Sequence, residues 1–198
     1  MSMKKLCLAA VLAVALAGCS VGRVAPQAAR FDLGPEAASS QTLPARAPIA
    51  LVFRAAPSLS DTGVIWRLAD SPAPKAYAGY RWSEPPAALV DQRLQERLSR
   101  EGAVLASAGS VAQAPQLQVT LSRFEQVFSP DGASSQGQVV LQAVLLHDGK
   151  VLAQRRFAQQ ADAPSQDAAG GVQALRRATD AAADEIAAWL ATVLPTGG

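Results

Sequence analysis

The segment Leu117-Gln118-Val119-Thr120-Leu121-Ser122 alternates apolar and polar side chains at every position. Successive side chains of a β-strand point to opposite faces of the sheet, so this alternation predicts a strand with one face in a core and the other towards water. We expect the strand to continue to Phe128 and to end at the turn Ser129-Pro130-Asp131-Gly132. This segment therefore places an antiparallel sheet at the centre of the fold.

Two further strands follow this one. Val139 to Leu146 carries apolar side chains on both of its faces, which is typical of a central strand. Asp148-Gly149 is a strong signal for a two-residue hairpin turn, and Val151 to Ala158 forms the third strand. The pair Arg155-Arg156 indicates that this third strand is more exposed than the second. The second half of the chain is therefore predicted to be a three-stranded antiparallel meander.

Two amphipathic helices are predicted on either side of the meander in sequence. The first runs from about Pro86 to Glu101, with Ser83 as its N-cap and Gly102 as its stop. The second runs from Ser165 or Asp167 to Leu194. Its apolar stripe follows a helical period and is expected to face the core: Val172, Leu175, Thr179, Ala182, Ile186, Trp189 and Val193. The charged residues of both helices, including Arg93, Arg97, Asp180, Asp184 and Glu185, are expected largely on other faces.

The first half of the chain contains shorter strand signals. Ile49 to Phe53 is an apolar run between prolines, and Asp61 to Arg67 contains the apolar triplet Val64-Ile65-Trp66 after a turn. Arg30-Phe31-Asp32-Leu33 is a candidate for a short edge strand. Together these elements predict an α/β (α+β) fold, in which a single mixed, largely antiparallel sheet packs with two principal amphipathic helices.

The N-terminus has the features of an export signal. Lys4 and Lys5 precede an unbroken apolar run from Leu6 to Ala17, which is shorter than the roughly 20 residues that a membrane span needs. The run ends in Leu16-Ala17-Gly18-Cys19, which resembles the lipobox of bacterial lipoproteins. An ordinary secretory signal followed by a chance cysteine is the alternative. We predict that Cys19 is acylated and becomes the first residue of the mature protein.

This cleavage divides the chain into three predicted parts. Residues 1–18 form a lipoprotein signal peptide, residues 19–48 a lipidated tether rich in Ala, Pro, Gln and Ser, and residues 49–198 a single α/β domain. An Asp after the cysteine would favour retention in the inner membrane. Because Ser20 stands there instead, the sequence resembles the outer-membrane class of lipoproteins. The sequence therefore predicts a lipid-anchored protein of the cell envelope, on the periplasmic face of the outer membrane.

The charge of the mature chain excludes some classes of function. The full sequence has 18 Lys and Arg against 16 Asp and Glu, and removal of Lys4 and Lys5 makes these numbers equal. Since nucleic-acid binding requires a clustered cationic surface and the arginines are scattered along the sequence, no nucleic-acid partner is expected. Removal of Cys7 and acylation of Cys19 leave no free thiol, so neither a disulfide nor a thiolate metal site is expected.

Catalytic and cofactor motifs are also lacking in the sequence. His147 is the only histidine and lies beside the predicted hairpin turn, where we interpret it as a solvated turn residue. Gly170-Gly171 lacks the glycine spacing and the Lys-Ser/Thr of a phosphate-binding loop. The adjacent carboxylates Asp184-Glu185 are interpreted as solvated. We therefore predict no enzyme activity, no cofactor and no metal.

The stretch Tyr80-Arg81-Trp82-Ser83-Glu84-Pro85-Pro86, followed by the amphipathic helix and the meander, resembles the ABC-type transport auxiliary lipoprotein family, to which paraquat-inducible protein C-like lipoproteins belong. The resemblance implies a non-enzymatic component that works with an ABC permease, its ATPase and a mammalian-cell-entry-domain protein. Such systems move lipids or other hydrophobic molecules between the two membranes. The resemblance leaves a homo-oligomer open.

Aromatic residues are concentrated near this stretch in a chain that is otherwise poor in them. We hypothesise that Trp66, Tyr77, Tyr80 and Trp82 form a partner-binding patch, because aromatic side chains are favoured anchors of interfaces. The alternative is that Tyr80 and Trp82 pack the start of the first helix against the sheet. Two other functions stay open, namely a lipoprotein regulator or activator of a periplasmic cell-wall enzyme, and a lipid carrier with a large apolar cavity.

Overall fold

The computed structural model of the chain describes residues 27–37, 41–105 and 114–194. The predicted signal peptide and the predicted acylation site Cys19 lie outside these residues, as does the first part of the predicted tether. Neither helix in the described part of the chain is long and apolar enough to cross a bilayer.

The predicted meander is present, and its strands are longer than expected. The three strands, β6 (Gln116–Phe128), β7 (Ser135–His147) and β8 (Lys150–Asp162), pair in antiparallel register over most of their length. Asp148 and Gly149 between β7 and β8 both have positive φ angles, of 49° and 73°. Two positive φ angles are the mark of a type I′ turn, whose twist matches that of the flanking strands. The Asp148-Gly149 prediction is therefore confirmed.

Five shorter strands complete the sheet on the other edge of β6. They are β1 (Ala29–Phe31), β2 (Ile49–Ala55), β3 (Gly63–Leu68), β4 (Lys75–Trp82) and β5 (Val104–Leu105). The first half of β6 pairs in parallel with β2, and its last residues pair in parallel with β3. β5 continues from β2, while β4 and then β1 continue from β3. One edge of β6 thus divides into two branches, and the result is a mixed eight-stranded sheet that confirms the predicted fold class.

Two helices pack together on one face of this sheet. They are α1 (Pro86–Leu98) and α2 (Ala168–Val193). The predicted stripe of α2 is buried at Leu175, Ala182 and Ile186, which are fully inaccessible to solvent. Asp167 is the N-cap of α2, since its Oδ1 accepts a hydrogen bond from the amide of Gly170 at 2.8 Å. The second predicted helix is therefore confirmed, with its side-chain cap.

Helix α1 begins at Pro86 as predicted, but its predicted N-cap and its predicted C-terminal end are wrong. Pro85 occupies the N-cap position, and no side chain caps the helix; the amide of Ser83 instead donates to the carbonyl of Phe31. The helix ends at Leu98, earlier than Glu101. Gly102 is needed for a different reason, because a Cβ at that position would lie 2.5 Å from the carbonyl oxygen of Arg46.

The alternation of β7 shows how the sheet separates two environments. Leu141, Ala143 and Leu145 are fully buried beneath α2. Gln138 and Gln142 of the same strand point to the opposite face and are half-buried there. Helix α2 approaches the sheet closely at Gly137 of β7, where an added Cβ would lie 2.5 Å from the carbonyl carbon of Ala174. Helices α1 and α2 thus cover one face of the sheet.

Part of the predicted tether is packed on the domain. β1 pairs with β4, and Leu33, only 3% exposed, belongs to the core. Arginines of both helices hold the following backbone: Arg93 donates to the carbonyls of Leu33 and Gly34, and Arg176 donates to the carbonyl of Pro35. We call residues 29–37 the N-terminal arm. Only the residues before Ala29 stay predicted as a tether, because an apolar side chain and a paired strand fix the arm.

Candidate docking site

A row of aromatic rings crosses four neighbouring strands of the sheet. Phe31 stacks on Tyr80 at 5.8 Å between ring centroids, and Tyr80 contacts Tyr77 edge to face at 6.2 Å. Trp66 lies 5.9 Å from Tyr77 and 5.6 Å from Phe128. We call these five residues the aromatic row. It extends from β1 through β4 and β3 to β6.

The row combines packed and exposed rings. Tyr80 is 38% exposed, whereas Trp66 and Tyr77 are half-buried. Leu68 of β3, which is 39% exposed, pairs in register with Phe128 and extends the apolar surface. The ammonium group of Lys75 lies 5.2 Å from the centre of the Trp66 ring, at cation–π distance. Rigid aromatic rings with a cation beside them are well suited to bind a partner.

An irregularity in β4 brings Tyr77 and Tyr80 to the same face. Residues three apart in a regular strand point to opposite faces, yet these two rings are in contact. Gly79 between them has a φ of +76°, and the register between β3 and β4 shifts at this point. Glycine is favoured here because a residue with a Cβ rarely adopts such a φ. The bulge at Gly79 therefore builds the aromatic row.

Tyr77 is fixed by a buried polar chain. Its hydroxyl donates to Oε1 of Gln126 at 2.9 Å, and Nε2 of Gln126 donates to the hydroxyl of Ser135 at 2.8 Å. Burial, followed by the negative charge of Asp167, raises the pKa of Tyr77 to about 12. Tyr77 thus holds the row in place beside the N-terminus of α2, and its ring is less available to a partner than that of Tyr80.

Trp82 does not belong to the exposed surface, which corrects the predicted patch. Its side chain is 1% exposed and packs edge to face on Phe124 at 5.3 Å. The strand carries Trp82 under the helical layer, where a large apolar ring contributes most by burial. The structure therefore brings together Trp66, Tyr77 and Tyr80, and it places Trp82 in the core.

Two members of the row were missed in the sequence. Phe31 lies in a segment expected to be an edge strand, and Phe128 was expected only as the end of a strand. Neither is close in sequence to the Tyr77–Trp82 stretch, and the parallel pairings that bring them there leave no local pattern. The signal available in the sequence was that Phe31 and Phe128 are each an aromatic residue at the end of a predicted strand.

The charged residues of the helices form ion pairs rather than a catalytic group. Arg93 pairs with Asp180 and Arg97 with Asp184, both between α1 and α2. Glu185 pairs with Arg155 of β8. The expectation that Asp184 and Glu185 are simply solvated is therefore wrong, because both bind guanidinium groups. These pairs hold the helical layer together and against the meander.

No group of histidine, cysteine and carboxylate residues suitable for a metal ion occurs in the described ranges. His147 is the last residue of β7, and its Nε2 lies 3.6 Å from a carboxylate oxygen of Asp148. One cleft of about 440 Å³ lies between the N-terminal arm and α1. Its lining includes Asp32, Glu84, Arg93 and Glu96. Such a polar lining does not suit a lipid chain.

Comparison with known proteins gives a family and a set of similar structures. The model of the family described as "ABC-type transport auxiliary lipoprotein component" matches residues 31–187. No curated protein matches the chain. The crystal structure of protein XCC0632 from Xanthomonas campestris has a TM-score of 0.71 at 18% identity, covering 83% of this chain and 96% of that one.

Two other crystal structures are similar. One of an uncharacterized protein has a TM-score of 0.65 at 17% identity and covers 83% of this chain and 99% of its own. The hypothetical protein CT253 from Chlamydia trachomatis has a TM-score of 0.50 at 10% identity, with 75% and 98% coverage. At these identities the likeness shows the fold alone.

Proposed function

Because the chain belongs to the ABC-type transport auxiliary lipoprotein component family, we propose that it is a lipid-anchored, non-enzymatic docking component of an ABC-type transport system. The system is of the mammalian-cell-entry-domain type, with a permease and an ATPase, and carries lipids or other hydrophobic molecules across the envelope. The aromatic row is the observation that carries the docking role. It gives the domain an exposed apolar surface that its own helices leave uncovered.

The anchor is the acylated Cys19, on the periplasmic face of the outer membrane. The lipobox and Ser20 support this placement. Two or more acyl chains hold a protein on a membrane essentially permanently, whereas one chain binds only marginally. Replacement of Cys19 with Ser is expected to release the protein from the membrane fraction, and mass spectrometry of the wild-type N-terminal peptide is expected to show acyl chains. An unmodified wild-type cysteine would contradict the anchor.

A role as activator of a cell-wall enzyme fits the structure less well. The arm begins at Ala29, so nine residues lie between Cys19 and the first strand. At 3.3–3.6 Å per residue their reach is at most about 35 Å. Such a short tether keeps the domain close to its own membrane, which suits a partner at that membrane better than a synthase at the opposite one.

Replacement of exposed rings of the row tests the docking role. We expect Trp66→Ala combined with Tyr80→Ala to abolish co-purification of the transport partners from detergent-solubilised membranes. The control is Val151→Ala with Leu152→Ala, because these two residues are 59% and 53% exposed in a hairpin away from the row.

The melting temperature of each variant shows whether the fold is retained. A folded Trp66→Ala, Tyr80→Ala protein that still co-purifies with the partners would contradict the docking role of the row. Loss of partners from the Val151→Ala, Leu152→Ala control alone would place the interface at the hairpin instead.

A further inference from the structure

The sheet face opposite α1 and α2 is rich in arginine. Six arginines belong to strands of this face, against two carboxylates, Glu125 and Asp162. The arginines are Arg30, Arg54, Arg67, Arg81, Arg123 and Arg156. We call this surface the arginine face. It also carries glutamines, such as Gln138 and Gln142.

The strand registers place these arginines side by side. Arg54 of β2 is aligned with Thr120 of β6, Thr120 with Gln142 of β7, and Gln142 with Arg156 of β8. This line across four strands is polar throughout and ends in a cation on each side. At the outer branch, Arg30 of β1 lies directly beside Arg81 of β4. Like charges in adjacent register positions repel each other, and an anion between them would relieve the repulsion.

Most of these guanidinium groups lack a counter-ion in the described chain. Only Arg67 and Arg123 form an ion pair, and both bind the same buried carboxylate, Glu125, at 2.7 and 3.4 Å. Arg81 donates to the carbonyls of Tyr77 and Tyr80, which are uncharged. Arg30, Arg54 and Arg156 are exposed and have no carboxylate within ion-pair distance among the described residues. The arginine face is therefore strongly cationic.

The opposite layer contains much of the balancing charge. Asp180, Asp184 and Glu185 lie on α2, and Glu96 and Glu101 lie on or just after α1. The mature chain predicted from the sequence has equal numbers of acidic and basic residues. The carboxylates of the helical side are paired with arginines of that side, such as Arg93, Arg97 and Arg155, so the unpaired positive charge lies on the arginine face although the total is zero. A surface of this kind attracts an extended anionic partner without any net charge on the protein.

The chain enters the domain at the edge of the arginine face. Arg30 belongs to β1, the first strand after the proposed anchor, and nine residues lie between Cys19 and Ala29. The tether therefore holds this face within about 35 Å of the bilayer to which Cys19 is attached. A lipid anchor and a polybasic surface are known to act together as two membrane-binding signals.

We propose that the arginine face lies on the anionic lipid headgroups of the membrane that carries the anchor. Each arginine near such a surface contributes roughly fivefold to partitioning, and the contribution falls off within a Debye length. With this face on the headgroups, the helical layer and the aromatic row, which lie on the same face of the sheet, point away from the bilayer, so the row stays accessible to a transport partner. The inference rests on the proposed lipid anchor, and the docking role of the row does not depend on it.

Arginine labelling on vesicles tests the proposal. The lipidated protein is reconstituted on vesicles of phosphatidylcholine alone and of phosphatidylcholine with phosphatidylglycerol, and phenylglyoxal modification is mapped by mass spectrometry. We expect Arg30, Arg54, Arg81 and Arg156 to be protected on the anionic vesicles only, and the protection to disappear in high salt. Arg155 and Arg177 are internal controls, because Arg155 binds Glu185 of α2 and Arg177 lies on α2 itself.

A variant removes the charge without altering the core. Arg54→Gln, Arg81→Gln and Arg156→Gln together should lower partitioning of the face by about a hundredfold, so that Arg30 loses its protection. Arg100→Gln, Arg155→Gln and Arg177→Gln remove the same charge from the helical side and should leave Arg30 protected.

The outcomes separate the inference from the proposed anchor. Protein that floats with both vesicles but is labelled equally on both keeps the anchor and overturns the inference. Protein that floats with neither overturns both. Protection that requires an acidic transport protein instead of phosphatidylglycerol would also overturn the lipid assignment.

Discussion

Helix α2 packs on β6, β7 and β8, whereas neither helix packs extensively on the neighbouring strands β1, β4 and β3. Under α2, Leu141 and Leu145 are fully buried, but in the outer branch Tyr80 is 38% exposed on the same face of the sheet. The covered part therefore supplies stability, and the uncovered part supplies a surface. One sheet performs both tasks because β6 divides between two branches.

The strongest test of this comparison uses two aromatic residues of one strand. We expect Trp82→Ala to lower the free energy of unfolding by about 3–5 kcal/mol, because it removes a buried ring from the core. Tyr80→Ala, two residues away, should lower it by about 1 kcal/mol or less, since this ring is partly exposed. Urea unfolding measures both values. Equal losses for the two variants would show that the outer branch is not a separate surface.

Gly137 in the part covered by α2 and Gly79 in the outer branch allow the same comparison with smaller expected losses of stability. Gly137→Ala should destabilise by about 1–3 kcal/mol, because the new methyl group would clash with the backbone of α2. Gly79→Ala should cost about 1–2 kcal/mol, because its φ of +76° is unfavourable for alanine while the surrounding space is open.

Substitution by asparagine separates these two causes. Asparagine tolerates positive φ, so Gly79→Asn should recover part of the loss, whereas Gly137→Asn should be worse than Gly137→Ala. Thermal unfolding of the four variants measures the order. Recovery at Gly137 would contradict the close approach of α2.

The smallest expected effect is on the pH dependence of the free energy of unfolding. It concerns Tyr77, which joins the outer branch to β6 through Gln126. The pKa of Tyr77 is raised from 10.0 to about 12, so the folded state favours the protonated phenol. The corresponding stability is present below pH 10 and is lost as the pH rises through about 12. The free energy of unfolding should therefore fall over this range, and Tyr77→Phe should remove that fall.

Absorbance of the phenolate gives an independent measurement. The chain has two tyrosines, so Tyr80→Phe leaves Tyr77 alone. Its titration midpoint should lie near 12, and a midpoint near 10 would contradict the burial of the Tyr77 hydroxyl beside Asp167.

The covered part could be predicted from the sequence because its signals are local. The alternation in β6, the Asp148-Gly149 turn and the stripe of α2 each occupy a few consecutive turns or residues. The outer branch could not, since β1 pairs in parallel with β4 and β3 pairs in parallel with β6, and these segments are far apart in sequence. Arg93 and Arg97 were expected outside the buried stripe, yet they are buried because carboxylates of α2 lie opposite them.

Only part of the candidate site could be predicted, because only some of its residues are marked by a local signal in the sequence. Trp66, Tyr77 and Tyr80 were recognised by their density in the sequence, but the burial of Trp82 depends on Phe124 and the helical layer above it. The contribution of Phe31 depends on where the N-terminal arm docks. Neither can be read from neighbouring residues. Cys19 lies outside the described residues, so its acylation stays a prediction.

The N-terminal arm has a consequence for the order of folding after export. Synthesis delivers the arm before the rest of the domain, but β1 pairs with Tyr80–Trp82, and Arg176 of the last helix binds the carbonyl of Pro35. These contacts close very long chain loops, which form late because their entropy cost precedes any gain. The arm is therefore synthesised first but packs on the domain last. Until α2 has docked, the arm remains unpaired.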